Sequence, residues 1–432
     1  MEFKKLDTVL RHPSDLITDV IGRIYKAGLT TTSGGNISIK DEQGNIWVTP
    51  SAVDKGSLTR KDIVCVKPDG SIKGHHKPSS EFTFHKAIFD ARPDIKAVIH
   101  AHPPALVSFS IVRQVPNMNI IPQARQVCGA IGYSPYAIPG GEELGRSIAG
   151  EFEKGHNSVI MENHGAVIGG KNLLEAYLRF ETFEFACRTI IGAKTIGEPI
   201  YLTDDQIKEF ESQVSTHIPE FDDAVQDAEE LSIRRNICKL VKRACNQGLM
   251  IGSYGTVSVR WHGNDFLITP TNVPRWEIDL PDIVQIRDGK REKGKLPSRA
   301  IKVHERIYRE NPYINSIINT QAPNIMSFGV TNRKLDVRTI PESWVFLQDI
   351  PIVEFGHQFS DYSDVPDILN QNTPALIIQN DAILVTGDKL LQTFDRLEVA
   401  EFSAISLVMS APLGELVPIK DNDVEDLRKK FL

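Results

Sequence analysis

From Ser14 to Gly28 apolar residues recur at helical spacing. Leu16, Ile17, Val20, Ile21 and Ile24 form one stripe, with Ser14 placed to cap the start and Gly28 to end it. The period then shortens to that of strands. Ile37–Lys40 and Ile46–Thr49 flank the turn Asp41–Asn45, and Ile63–Lys67 and Ser71–Lys73 flank Pro68-Asp69-Gly70. After Lys77-Pro78-Ser79-Ser80 the pattern predicts a helix over Glu81–Ala91. An apolar strand, Ile95–His100, stops at Pro103-Pro104, and a helix begins near Ala105. Two short strands, Ser158–Met161 and Ala166–Ile168, lead into a long helix, Leu173–Ile191. Hairpins mixed with helices indicate a mixed α/β fold rather than strict βαβ alternation.

Beyond an acidic connector, Asp204–Glu230, with ten acidic residues and one lysine, the pattern starts again. Ser253-Tyr254-Gly255-Thr256-Val257-Ser258 echoes Ser33–Ser38. Leu267–Thr271 echoes Trp47–Ser51, and Pro297-Ser298 leading to His304 echoes Pro78-Ser79 leading to His85. Ile317–Pro323 echoes Val98–Pro104, and Leu376–Ala382 echoes Val159–Ala166. A period of about 215 residues is that of a duplicated domain, far longer than a solenoid repeat. The expected division is 1–215 and 216–432.

Composition narrows the class. With 432 residues, 41% hydrophobic and 24% charged, the chain is long enough for two globular domains. A formal charge of −7 argues against nucleic acid or an anionic membrane as the main partner. Met1–Arg11 carries no apolar signal segment, and no apolar run reaches the roughly 20 residues of a membrane helix. Five cysteines without a CxxC pair suggest reduced thiols and a cytoplasmic setting.

The candidate chemistry gathers on His100-Ala101-His102. Residues i and i+2 of a strand share a face, so the two imidazoles can converge on one metal ion. His164, at the turn after a separate strand, is the third candidate ligand, and three protein ligands with an open position is the pattern of catalytic zinc. The second half supplies Asn319, Gln321 and Asp381 at these positions, Arg299-Ala300 in place of Ser80-Glu81, and Thr256 in place of Asn36. The fold pattern repeats and the polar set does not, which places the chemistry in the first half alone. Ser79-Ser80 stands at a helix start, where free N–H groups suit an anion and where a serine also serves as a plain cap. Glu81 fits either a first-turn carboxylate or an acid/base group beside the metal. The remaining histidines, His85 among them, lack such pairing, and His75-His76 reads as a solvated loop.

Together Ser33-Gly34-Gly35-Asn36-Ile37-Ser38, Val48-Thr49-Pro50-Ser51, Lys77-Pro78-Ser79-Ser80-Glu81, His100-Ala101-His102 and Asn163-His164-Gly165 resemble the class II aldolase/adducin family. The resemblance covers roughly residues 8–215, and the second half looks like the same domain without its site. It implies an α/β/α fold with a central, mostly antiparallel sheet flanked by helices, and oligomers with sites at subunit interfaces. It implies zinc on His100, His102 and His164, phosphate on Asn36, Ser51, Ser79 and Ser80, and Glu81 as acid/base. Two tyrosines of the family's aldolases are not matched: Gln126 stands at one position, and the other falls near His217, a possible proton donor.

The activity expected from this resemblance is a zinc-dependent aldolase acting on a ketose 1-phosphate through an enediolate of dihydroxyacetone phosphate. A 4-epimerase, dehydratase or decarboxylase on the same metal site, and a non-catalytic adducin-like scaffold, are the alternatives. Glu81, where related epimerases have Asp, favours aldol chemistry. The degenerate half is expected to replace a neighbouring subunit, so that two chains form a four-domain homo-oligomer, or a larger ring.

Overall fold

The computed structural model describes residues 11–213, 218–222, 227–359 and 364–432. Among these the chain divides into two compact units. The first takes the residues up to Met118 together with Gln123–Cys187, and the second takes Asn119–Pro122 and Arg188–Leu432.

In the first unit the strands are β1 (Asn36–Lys40), β2 (Ile46–Val48), β3 (Val64–Val66), β4 (Ile72–Lys73), β5 (Ala97–Ala101), β6 (Gly132–Ser134), β7 (Ser158–Met161) and β8 (Gly165–Gly170). They form one sheet in the order β4-β3-β2-β1-β5-β8-β7-β6. Every neighbouring pair is antiparallel except β6–β7. The helices are α1 (Pro13–Lys26), α2 (Phe82–Ala91), α3 (Pro104–Ile111), α4 (Pro122–Cys128), α5 (Glu142–Glu153) and, up to Cys187, α6 (Leu173–Ile196). Helices α2 and α5 bury Phe84, Ile88, Phe89, Leu144, Ile148 and Phe152 against Val98, Val159 and Val167 of the sheet. Each such side chain contributes about 1.5–3 kcal/mol through burial. Helix α1 packs on β1 and β2, and α3 on β7 and β8.

The second unit repeats the layout. Its strands are β9 (Glu220–Phe221), β10 (Thr256–Arg260), β11 (Phe266–Ile268), β12 (Val284–Arg287), β13 (Lys290–Glu292), β14 (Ser316–Thr320), β15 (Ile352–Val353), β16 (Ala375–Ile378) and β17 (Ala382–Gly387). They run in the order β15-β16-β17-β14-β10-β11-β12-β13-β9, the first sheet's order with one strand added at the edge. Its helices are α7 (Asp204–Ser212), α8 (Ala228–Asn246), α9 (Ile301–Glu310), α10 (Pro323–Gly329), α11 (Pro341–Leu347), α12 (Val365–Ile368), α13 (Leu390–Ser410) and α14 (Asp421–Phe431). Two apolar clusters, one containing Ile237, Ile318, Ile325 and Phe394 and the other Phe266, Ile307, Ile317 and Leu376, take side chains from alternate positions of the sheet. The result is an α/β/α layered fold, present twice.

The described residues of the acidic connector include α7, β9 and the start of α8, and the side chains of Thr203 and Asp227 cap the two helices. In the first unit the elements absent from the sequence reading are α4, β6 and α5. The last had a readable stripe in Leu144, Ile148 and Phe152, spaced four apart. The first two are short and carry no clear period.

Candidate metal centre

The register of β1 on β5 pairs Asn36 with His100, the last strand position but one before the chain turns away. Beyond β5, His102 follows on the same face. His164 enters from the tight turn between β7 and β8, where Asn163 takes a positive φ of 52°. Glycines make room for this meeting. A Cβ on Gly35 (φ 71°) would stand 2.9 Å from the His100 carbonyl, and one on Gly165 would stand 2.7 Å from the Ala101 carbonyl and 2.9 Å from the His102 ring.

A nitrogen from each of His100, His102 and His164 lies within 4.8 Å of the other two. The Nε2 atoms of His100 and His102 are 3.0 Å apart. Three nitrogens each about 2.0–2.1 Å from a tetrahedral zinc ion would stand roughly 3.3 Å from one another, so the spacing suits one ion. The Nδ1–H of His100 donates to the Ala166 carbonyl at 2.9 Å, which turns the Nε2 lone pair inward and fixes the ring. That lone pair faces the Glu81 carboxylate at 3.3 Å, and His164 Nε2 faces its other oxygen at 3.2 Å. Glu81 Oε1 is buried without a hydrogen-bond partner. A cluster so rich in lone pairs, with one orphaned carboxylate oxygen, has the donor set of a divalent cation site.

Burial would raise the Glu81 carboxyl, but the charge and hydrogen bonds of His100 and His164, when protonated, outweigh it and hold the group far below the usual carboxylate range. His102 is pushed down to about 4, first by burial and then by His100 and His164, so its ring stays neutral at ordinary pH and keeps its ligand capacity.

The candidate anion residues also assemble. A bridge between Pro50 and Pro78 lays Thr49-Pro50-Ser51 beside Lys77-Pro78-Ser79. Ser51 N–H donates to the Lys77 carbonyl at 3.0 Å, and Ser79 N–H to the Thr49 carbonyl at 3.1 Å. Ser79 is buried, its Oγ accepting from the Glu81 N–H at 3.3 Å, whereas Ser51 is half-buried and Ser80 exposed. Asn36 is buried, and its Nδ2 donates to Glu81 Oε2 at 2.7 Å. Gln126 lies on α4 with its Oε1 buried and unpaired. His217 lies outside the described residues.

Sequence reasoning missed His85. The reading that it lacks a partner is corrected: its ring is fully buried, its Nδ1 is 2.6 Å from Ser38 Oγ, and its Nε2 bonds Asn36 Oδ1. The available signal was Asn36-x-Ser38, two residues on one strand face, set against Glu81-x-x-x-His85, two residues on one helix face. His76 likewise pairs with Asp62 at 3.0 Å.

The family model described as Class II Aldolase and Adducin N-terminal domain matches residues 15–191 and 235–407. The chain is 36% identical over 163 residues to an L-fuculose phosphate aldolase of Methanococcus maripaludis, covering 37% of this chain and 86% of that protein. It is 28% identical over 199 residues to a 3-oxo-tetronate 4-phosphate decarboxylase of Haemophilus influenzae, covering 45% of this chain and 93% of that protein. To a 5-deoxy-D-ribulose 1-phosphate aldolase of Bacillus thuringiensis it is 32% identical over 194 residues, 43% of this chain and 87% of that protein.

Proposed function

The chain belongs to the class II aldolase and adducin family, and from that premise we propose that it is a zinc-dependent aldolase cleaving or forming a ketose 1-phosphate. One observation carries the reading. Glu81 lies 3.3 Å from His100 and 3.2 Å from His164, beside a third imidazole, in one half of the chain. The other half has Ala300, Asn319, Gln321 and Asp381 at these positions.

His100, His102 and His164 would hold the ion, which when bound supplies Lewis-acid polarisation of the substrate's carbonyl and hydroxyl oxygens. Ser51, Ser79, Ser80 and Asn36, around the start of α2, would bind the phosphate, where free N–H groups and the helix dipole favour an anion. Glu81 would give a proton to, or take it from, the carbon that carries the enediolate of dihydroxyacetone phosphate. The Asn36 amide N–H on its Oε2 favours the ionised form between turnovers. His217 is proposed as a second proton-transfer group. The catalytic copy is 1–215 and the copy without ligands 216–432.

A second reading is decarboxylation of a 3-oxo-4-phosphate acid. Loss of carbon dioxide from 3-oxo-tetronate 4-phosphate leaves the same enediolate. Gln126 favours this reading: a glutamine amide donates hydrogen bonds but is no acid that could give a proton to an aldehyde oxygen, and departing carbon dioxide needs none. A 4-epimerase, a dehydratase and an adducin-like scaffold are further outcomes of the test.

Both main readings predict exchange of a carbon-bound hydrogen of dihydroxyacetone phosphate with deuterium oxide, followed by proton NMR. The metal-loaded protein should exchange, and the chelated protein should not. Product analysis on a panel of ketose 1-phosphates and 3-oxo-4-phosphate acids then separates cleavage to an aldehyde from release of carbon dioxide. Absence of both bound metal and exchange would leave the scaffold. Among the described residues no helix is long and apolar enough to cross a membrane, and we place the protein in the cytoplasm as a dimer of four domains. Light scattering that finds only monomer would refute that assembly.

A further inference from the structure

We infer that His85 is a positioning residue that sets the orientation of the Asn36 amide and, through it, of the Glu81 carboxylate. The inference rests on the reading of Glu81 as the proton-transfer group.

The hydrogen bonds have one consistent direction. Asn36 Nδ2–H donates to Glu81 Oε2 at 2.7 Å, so Asn36 Oδ1 must accept from His85 Nε2. His85 therefore carries its proton on Nε2, and its Nδ1 accepts the Ser38 hydroxyl proton at 2.6 Å. The amide and tautomer follow from this network. Turning the amide over would press Oδ1 against a carboxylate oxygen and Nδ2–H against the Nε2–H of His85. With His85, Asn36 and Glu81 all buried, no solvent relieves either clash. Ser38 thus seats the His85 ring at Nδ1, the His85 Nε2–H holds the amide oxygen, and the amide holds one carboxylate oxygen while the other faces His164.

The second half provides an internal control. Its Ser258 Oγ lies 2.8 Å from His304 Nδ1 and 2.7 Å from the Tyr308 hydroxyl, so the serine–histidine pair is kept. Asn36 has become Thr256, which bonds Ser298 at 2.5 Å, and Glu81 has become Ala300. His304 Nε2 then has no hydrogen-bond partner. The pair itself belongs to the fold, and its link to a carboxylate exists only where the carboxylate does.

The test compares His85→Leu, His85→Gln, Ser38→Ala, His304→Leu and His304→Gln in the full-length, metal-loaded protein. The readouts are the hydrogen exchange of dihydroxyacetone phosphate, bound metal and thermal stability. His85→Leu should lower kcat about 30-fold with KM changed far less and metal content kept, because ionic and proton-transfer geometry is lost while the ligands stay. His85→Gln, whose amide N–H can still donate to Asn36, should recover to within about 5-fold of the parent. Ser38→Ala, which removes the hydroxyl that seats the His85 ring at Nδ1, should fall between them. The two His304 variants should lower stability with kcat within about 2-fold. Equal losses in His85→Leu and His85→Gln, a change in KM alone, or an unchanged kcat would overturn the inference. If His85→Leu does not fold, a Ser38→Ala kcat equal to the parent's overturns it instead. A parent protein without metal or exchange refutes the proposed function. An active parent whose kcat ignores His85 refutes this inference alone.

Discussion

In the first half a carboxylate lies between imidazoles, with lone pairs crowding a common centre. In the second half hydrogen bonds close the same positions. Gln321 Nε2 donates to the Asp381 carbonyl at 2.8 Å, Gln358 Nε2 donates to the Asp381 carboxylate at 3.0 Å, and Thr256 bonds Ser298. Much else is shared. Glu184 receives the Ala105 and Leu106 N–H groups at the start of α3, and Glu401 receives Asn324 and Ile325 at the start of α10. Lys55 donates to the Pro50 and Val53 carbonyls, and Arg275 to those of Gly255, Pro270 and Val273. Asn163 and Asn380 both take positive φ. The comparison separates two kinds of buried polar residue. Glu184, Lys55 and their counterparts serve the backbone in both halves, whereas Asn36, Glu81 and the three histidines, held by one half, make its candidate site.

Substitutions at matched positions can break that separation. The largest expected effect is from His100→Ala/His102→Ala, which should remove bound metal and reduce hydrogen exchange by about three orders of magnitude or more, because three ligands act as one unit. Asn319→Ala/Gln321→Ala should leave both unchanged, and elemental analysis with NMR exchange checks the contrast. Glu81→Gln should keep the metal and lower kcat by about 10²–10⁴-fold, the usual range for losing a general acid or base.

Next comes acid stability. Burial pushes His304 down to about 3, so the unfolded chain takes up a proton near pH 6.5 and the folded one only near 3. The unfolded state binds more protons across that window, so stability falls as pH drops through it, with a slope of about 1.4 kcal/mol per pH unit from this group. Denaturant titrations of His304→Gln should lose that part of the slope. The pH dependence of His85→Gln should differ from it if the two serine–histidine pairs are not equivalent in the fold.

Smaller still, Glu184→Ala and Glu401→Ala should each cost about 1–3 kcal/mol of stability by leaving buried N–H groups unpaired. Calorimetry should show similar losses, and unequal ones would show that the two helix starts are not equivalent. Ser80→Ala should do least, raising KM for the phosphorylated substrate by about 10-fold or less through one lost hydrogen bond, with kcat kept.

The histidine strand was readable because its two ligands are separated by one residue and its proline stop is local. The repeat was readable because the second half keeps the apolar pattern while changing the polar one. Asn36, Glu81 and His85 were harder. Each is ordinary in its own segment, and only the β1–β5 register and the first turn of α2 bring them together across 45 and 49 residues. Helix α4 and strand β6 are placed by tertiary packing that a window of sequence does not contain.

Gly165 has a further consequence. Its counterpart is Ala382, and a Cβ at Gly165 itself would come within 2.9 Å of the His102 ring. A histidine placed at Gln321 with the ring position of His102 would meet such a methyl, so Gln321→His should be better accommodated in a chain that also carries Ala382→Gly. Of the three ligands, the one at the His102 position therefore depends on a neighbouring residue that brings no ligand itself.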